Sequence, residues 1–236
     1  STSADLPANS GLGSSSSFAV ALLLALHKLR GEQVGASQLA EEACQVEISI
    51  LGSPIGKQDQ YSTAFGGLNL FEFFADETVK IEPISTETPI IKDIFANSSM
   101  IWTQQTREAN TVLKDQEDRA EKNIEALIKL RDLTYILRNQ LKEDEPSKDK
   151  IGKFISEGWR IKQELSPLIL TSEVSKLFSE ISDLDIIGTK LLGAGAGGFI
   201  YSLHNNLEED KKQVSSRWSA FTPNIDHQGA RILSSN

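Results

Sequence analysis

Glycines, hydroxyls and carboxylates spaced as if to hold phosphate are the chemistry this chain offers. The run Asp5-Leu6-Pro7-Ala8-Asn9-Ser10-Gly11-Leu12-Gly13-Ser14-Ser15-Ser16-Ser17 leads straight into the apolar stretch Phe18 to Leu26. Gly11 and Gly13 permit φ > 0 and close approach of the backbone to a ligand, and the serines are expected to cap the helix that follows. The free N–H groups and dipole of such a helix start attract anions, of which a nucleotide phosphate is the commonest. A flexible Gly/Ser linker has a similar composition. Linkers, however, do not abut a helix as apolar as Val20, Leu22, Leu23, Leu24, Leu26 and Leu29 make this one, which is expected to be buried and to hold the loop rigidly.

Glu47 and Asp59 are the next candidates, one on a helix and one beyond the turn-rich loop Gly52 to Gly56. Taken alone, each reads as a solvated surface group in a chain with 33 acidic residues. With Ser15 they form a set suited to phosphoryl transfer, which needs a phosphate cradle, a hard oxygen-ligated Mg²⁺ and a carboxylate that orients or deprotonates the attacking hydroxyl. Ser14, Ser15 and Glu47 suit the metal, and Asp59 suits the hydroxyl.

Two other loops mimic nucleotide motifs. Gly52-Ser53-Pro54-Ile55-Gly56-Lys57 is one residue short of a Walker A loop and has Gln58 where Ser or Thr is required. Gly193-Ala194-Gly195-Ala196-Gly197-Gly198 has dinucleotide-binding spacing, but the strand-like Phe199-Ile200-Tyr201-Ser202-Leu203 follows it instead of a helix. It is either a tight turn between strands or a place where backbone packs closely against another element or a ligand.

The elements that must position these residues follow from periodicity. Ser37 is expected to cap a second helix running to Ile50, and Lys57 to Tyr61 to open a short helix ending before Gly66-Gly67. Alternation predicts paired strands over 68–73 and 79–84, joined near Asp76. The polar segment 85–88 marks a boundary between lobes 1–88 and 89–236. Beyond it come a strand at 100–103, a helical stretch from 107 to 142, helices from Ser147 to Leu165 and from Ser172 to Ser182, strands 185–192 and 198–203, a helix over 208–216 and a last strand over 230–233.

Composition bounds the rest. At 236 residues and 39% hydrophobic content, the chain can bury one large core or two modest ones, and two lobes are expected. A net charge of −9 and a pI near 5.0 argue against nucleic-acid and membrane-surface partners. Cys44, the single cysteine, is expected to be a small core residue, and His27, His204 and His227 are too scattered to hold a metal. No signal peptide or bilayer-length apolar run is evident, which points to the cytoplasm.

At its functional residues the chain resembles the GHMP kinases, the superfamily of galactokinase, homoserine kinase, mevalonate kinase and phosphomevalonate kinase. Pro7 to Ser15 follows the family pattern P-x-x-x-G-L-G-S-S. Lys190-Leu191-Leu192-Gly193-Ala194-Gly195-Ala196-Gly197-Gly198 follows K-x-x-G-A-G-G-G-G with one departure, Ala196, whose methyl would crowd the phosphates. The run Leu51 to Tyr61 with Phe65 to Asn69, together with Trp102-Thr103 and Trp159 to Lys162, is similar to the branch acting on D-glycero-D-manno-heptose 7-phosphate at its anomeric carbon.

The resemblance implies an α+β fold of two lobes with a ferredoxin-like C-terminal lobe, and ATP and Mg²⁺ as cofactors. It places Pro7, Ser10, Gly11, Leu12, Gly13, Ser14, Ser15, Ser16 and Gly195 at the nucleotide, Ser15 and Glu47 on the metal, and Asp59 and Lys57 in catalysis. Arg107, Lys162 and Gly193 fall to the sugar phosphate, although Arg107 and Lys162 read equally as helix-surface cations. Family members open with strands carrying a further motif, so the N-terminal lobe is expected to be incomplete here. Kinases of neutral sugars such as fucose or galactose, a non-catalytic binding role, and assembly into a homo-oligomer stay open.

Overall fold

The computed structural model describes residues 3–6, 10–106 and 109–233. Among these the chain divides into two units. One holds 3–6, Gly13–Thr86 and 225–233; the other holds 10–12 and Glu87–Asn224.

In the first unit, apolar residues at helical spacing build α1 (Ser14–Leu29), α2 (Ala36–Cys44) and α3 (Gln58–Phe65). These helices pack around Val20, Leu39, Ala40, Ala43, Cys44, Tyr61 and Ala64. Burial pushes the Cys44 thiol up to about 11, so it is an inert core group. The expected burial of α1 holds on one face only. Val20 is fully covered, whereas Phe18, Leu22, Leu26 and Leu29, spaced three to four apart on another face, are exposed, because this small cluster reaches one side of the helix.

The caps differ from expectation. Gly13, at φ +66°, makes the entry turn into α1 and no serine side chain caps it. Gly35 likewise precedes α2, leaving Ser37 inside the first turn. Nor does α2 continue to Ile50 as a regular helix. It widens into a π-helical turn, Gln45–Ile50, closed by Leu51 N–H donating to Val46 O at 3.0 Å.

The hairpin of β1 (Leu68–Phe73) and β2 (Val79–Ile84) forms where alternation predicts it, Leu68 opposite Ile84 and Phe73 opposite Val79. Asp76 Oδ1 shapes its turn by accepting from Thr78 N–H at 3.1 Å and Thr78 Oγ1 at 2.6 Å. The segment 230–233 is not a strand. Gly67 N–H donates to Asp226 O at 2.6 Å and Ala230 N–H to Ala64 O at 3.4 Å, and two such bonds across a glycine crossing make no ladder. A Cβ on Gly229 would lie 2.5 Å from Ala64 O, so only glycine admits this approach, and the C-terminal segment belongs to the first unit.

The second unit begins with α4 (Pro89–Ala96), opened by a proline whose missing N–H costs nothing there, and β3 (Ser98–Trp102). The helical stretch after β3 breaks into α5 (Ala109–Asp118) and α6 (Ile124–Leu141). Next come α7 (Lys148–Gln163), where Ser147 Oγ accepts from Lys150 N–H at 3.3 Å, and α8 (Ser172–Glu180), capped by Thr171 and not by Ser172. The strands β4 (Ile186–Leu191) and β5 (Phe199–His204), the helix α9 (Leu207–Arg217) and the short β6 (Ala220–Phe221) complete it.

The sheet order is β4-β5-β3-β6 with every pair antiparallel. With helices between β3 and β4 and between β5 and β6, this is the split β-α-β-β-α-β arrangement of ferredoxin-like folds, and the chain is α+β. Ile101, Trp159, Ile169, Leu191 and Ile200 lie at the centre of its core. Ala196 joins them at φ +64° and 1% exposure, so its methyl packs into this core, where the sequence suggested crowding of a ligand. Deep in the unit, Ser99 Oγ bonds His204 Nε2 at 2.8 Å, and His204 Nδ1 bonds Asp210 Oδ2 at 2.7 Å.

Candidate functional site

The residues expected to form a cradle are divided between the two units. Segment 10–12 lies against the β4–β5 loop by backbone contact. A Cβ on Gly193 would sit 2.6 Å from Gly11 Cα, one on Gly11 would sit 3.2 Å from Leu192 O, and one on Gly198 would strike Ser10 O. The loop is itself tied down: Ala196 N–H donates to Ile169 O at 2.8 Å, Gly198 N–H to Gln105 O at 3.0 Å, and Thr103 Oγ1 to Gly198 O at 2.8 Å. Of the two readings open for 193–198, close backbone packing describes it, and Gly195 is needed because a Cβ there would lie 2.9 Å from Ile169 Cα. Ser10 is fully buried, and its Oγ has no partner among the described residues.

Gly13 belongs to the first unit. Immediately beyond it, α1 opens with Ser14, Ser15 and Ser16, and the first helical bond at this end is Ser17 N–H to Gly13 O at 2.9 Å. The N–H groups of the first turn lack helical acceptors and are directed at whatever binds before the helix. Ser16 is buried and Ser15 is exposed. Asp59, in the first turn of α3, sits beneath this entry: a Cβ on Gly13 would lie 3.3 Å from its Cγ and Oδ2.

Glu47 comes from the π-helical turn and is 3% exposed. Ser15 Oγ donates to its Oε1, and Gln60 Nε2 donates to its Oε2 at 2.6 Å. Both partners are neutral, and among the described residues no cation pairs with this buried carboxylate. A buried charge without a counter-charge is costly, and the positive end of α1 offsets only part of it. Gln60 is fully buried, with Oε1 unpartnered. Sequence reasoning overlooked it, since its one signal is adjacency to Asp59.

The remaining candidates are engaged by the protein. Lys57 Nζ pairs with Glu77 in the hairpin turn, and Lys162 Nζ donates to Gly193 O, joining two residues expected at the substrate. Leu12 lies in segment 10–12, half-buried. Pro7 and Arg107 lie outside the described residues. Among the described residues no group of three or more His, Cys, Asp or Glu could hold a metal, and no helix is long and apolar enough to cross a membrane.

Residues 1–67 match the GHMP kinases N terminal domain, and residues 140–224 match the GHMP kinases C terminal domain. The chain is 28% identical over 202 residues to the D-glycero-alpha-D-manno-heptose 7-phosphate kinase of Campylobacter jejuni, covering 85% of this chain and 59% of that protein. It is 30% identical over 217 residues to the bifunctional fucokinase/GDP-fucose pyrophosphorylase of Arabidopsis thaliana, covering 89% of this chain and 20% of that one. A crystal structure of a D-glycero-D-manno-heptose 1-phosphate kinase from Bacteriodes thetaiotaomicron superposes with a TM-score of 0.64 at 23% identity, over 98% of this chain and 66% of that chain. The chain therefore spans less than two thirds of the length of each of these relatives. With both family halves matched in order, and a glycine-serine helix start beside two carboxylates at the matched positions, the chain belongs to the GHMP kinases.

Proposed function

We propose that the protein is an ATP-dependent sugar kinase that phosphorylates the anomeric hydroxyl of a sugar phosphate, heptose 7-phosphate, in the cytoplasm. The observation that carries this reading is Glu47, a buried carboxylate whose partners among the described residues are neutral, beside the start of α1 and the Asp59 carboxylate. The residues fit Mg²⁺. Ser15 and Glu47 are hard oxygen donors already in contact, and Mg²⁺ is ordinarily held by one or two carboxylates together with substrate phosphates and water. Bound there, it would neutralise charge on the transferring phosphoryl group.

The chain's own residues do the rest. The first turn of α1 presents N–H groups to the ATP phosphates. Asp59 accepts the proton of the sugar hydroxyl as its oxygen bonds the γ-phosphorus and the bond to the bridging oxygen of ADP breaks. Specificity for a phosphorylated sugar calls for cations, with Lys57, Lys162 and Arg107 as candidates.

A second reading, a kinase of a neutral sugar such as fucose, is favoured by one observation: Lys57 is held by Glu77 and Lys162 by a backbone carbonyl. The two readings separate by kcat/KM of the full-length protein for heptose 7-phosphate and for unphosphorylated heptose. A preference of about 100-fold or more for the phosphorylated sugar, equivalent to two charge-assisted hydrogen bonds, is expected. Equal values overturn the heptose-phosphate reading and promote the neutral sugar.

A further inference from the structure

We infer that Gln60 is the positioning residue that sets the metal affinity of the Ser15–Glu47 pair, an inference that rests on the Mg²⁺ reading above. The geometry assigns both ends of its amide. Nε2 lies 2.6 Å from Glu47 Oε2, and the flipped amide would bring two acceptors to that distance, so the donor faces the carboxylate. Glu47 is thereby held at both oxygens, by Ser15 at one and Gln60 at the other, with its plane fixed before any cation arrives. Gln60 Oε1 is then left buried without a partner. An orphaned buried acceptor costs about 1–3 kcal/mol, and native proteins seldom retain one without a use. Mg²⁺ keeps several of its waters, which are strong donors, and one of them would supply the donor that this carbonyl oxygen lacks.

The position in the chain adds to this. Gln60 follows Asp59 in the first turn of α3, and successive residues on a helix point about 100° apart. One rigid turn therefore carries the carboxylate under Gly13 and the amide that holds Glu47, which fixes their separation. Partners that orient ligating carboxylates in this way typically change metal affinity by about 10–100-fold when removed.

The test uses the full-length protein with a non-hydrolysable ATP analogue and reads Mn²⁺ affinity by electron paramagnetic resonance. Gln60→Met keeps length and bulk but removes both polar atoms, and is expected to weaken Mn²⁺ by about 10–100-fold. The Mg²⁺ concentration for half-maximal rate should rise in parallel, while kcat at saturating Mg²⁺ falls less than about threefold. Gln60→Asn, whose amide is one carbon short of Glu47, should show the same split and decides the matter if the Met variant does not fold. Unchanged Mn²⁺ affinity in the Gln60 variants, or a loss of kcat that saturating Mg²⁺ does not restore, overturns the inference. Glu47→Gln separates this from failure of the underlying reading: if that variant also binds Mn²⁺ normally, the metal site is wrong, and if it alone loses the metal, only the role of Gln60 is.

Discussion

Each unit joins a hydroxyl, a carboxylate and a third polar side chain in one short network, and the two networks differ in how they are satisfied. In the second unit Ser99, His204 and Asp210 close on one another: both imidazole nitrogens have partners at 2.7–2.8 Å and the histidine is fully buried. This resembles a nucleophile triad, but Ser99 is 2% exposed and no substrate can reach it, so the network fastens α9 to β3 and β5. In the first unit the network of Ser15, Glu47 and Gln60 is unfinished: among the described residues the carboxylate has no cation and the amide oxygen no donor, and the serine is open to solvent. Completed polar networks hold a fold together, whereas a native network left incomplete indicates where a ligand belongs.

The largest expected effect concerns the carboxylate beside the unfinished network. Asp59→Asn keeps the shape under Gly13 but cannot take a proton. If Asp59 is the proposed general base, kcat of the full-length protein should fall by about 10²–10⁴ with KM little changed, since a general base acts chiefly in the transition state. Near-wild-type kcat would reduce the first-unit site to phosphate binding.

Stability should separate the two networks by sign. Asp210→Ala strands a buried imidazole nitrogen and should cost about 1–3 kcal/mol in urea unfolding, with nucleotide affinity intact. Glu47→Gln removes a buried charge that has no counter-charge, and the Ser15 hydroxyl can turn from donor to acceptor to meet the new amide. Without Mg²⁺ its stability should be unchanged or raised by up to about 1 kcal/mol. If Glu47→Gln costs as much as Asp210→Ala, the first network is as structural as the second and the contrast fails.

Much of this was legible in the sequence, for physical reasons that also mark the limit. The hairpin 68–73 with 79–84 shows because alternation is a local signal, and Gly13 with the serines because a helix start has local chemistry. Ser15, Glu47 and Asp59 are recognisable by type, but the Ser15–Glu47 bond depends on a π-helical turn that widens the backbone at Gln45–Ile50, and no side-chain period announces it. Gln60 was passed over because an amide in a first turn looks like any polar helix residue until its partner, thirteen positions earlier, is in view. The engagement of Lys57 by Glu77 and the packing of 225–233 against Gly66 and Gly67 are long-range facts of the same kind, which is why the last segment read as a strand.

The smallest effect contrasts His204 with the other histidine that holds carboxylates. His27, on α1, bonds Glu42 Oε2 through Nε2 at 2.7 Å and Glu32 Oε2 through Nδ1 at 2.7 Å. Hydrogen bonds to Glu42 and then to Glu32 raise its pKa above the usual 6.5, while partial burial opposes them. A group whose folded pKa is raised contributes stability fully below its unfolded pKa and loses it as pH rises through the folded value. The melting-temperature advantage of the wild type over His27→Gln should therefore be full below the ordinary histidine value of 6.5 and decline as the pH is raised above it. Because the site is near solvent, added salt should shrink it. A difference that does not change with pH would mean that His27 acts by packing and that the imidazolium contributes nothing.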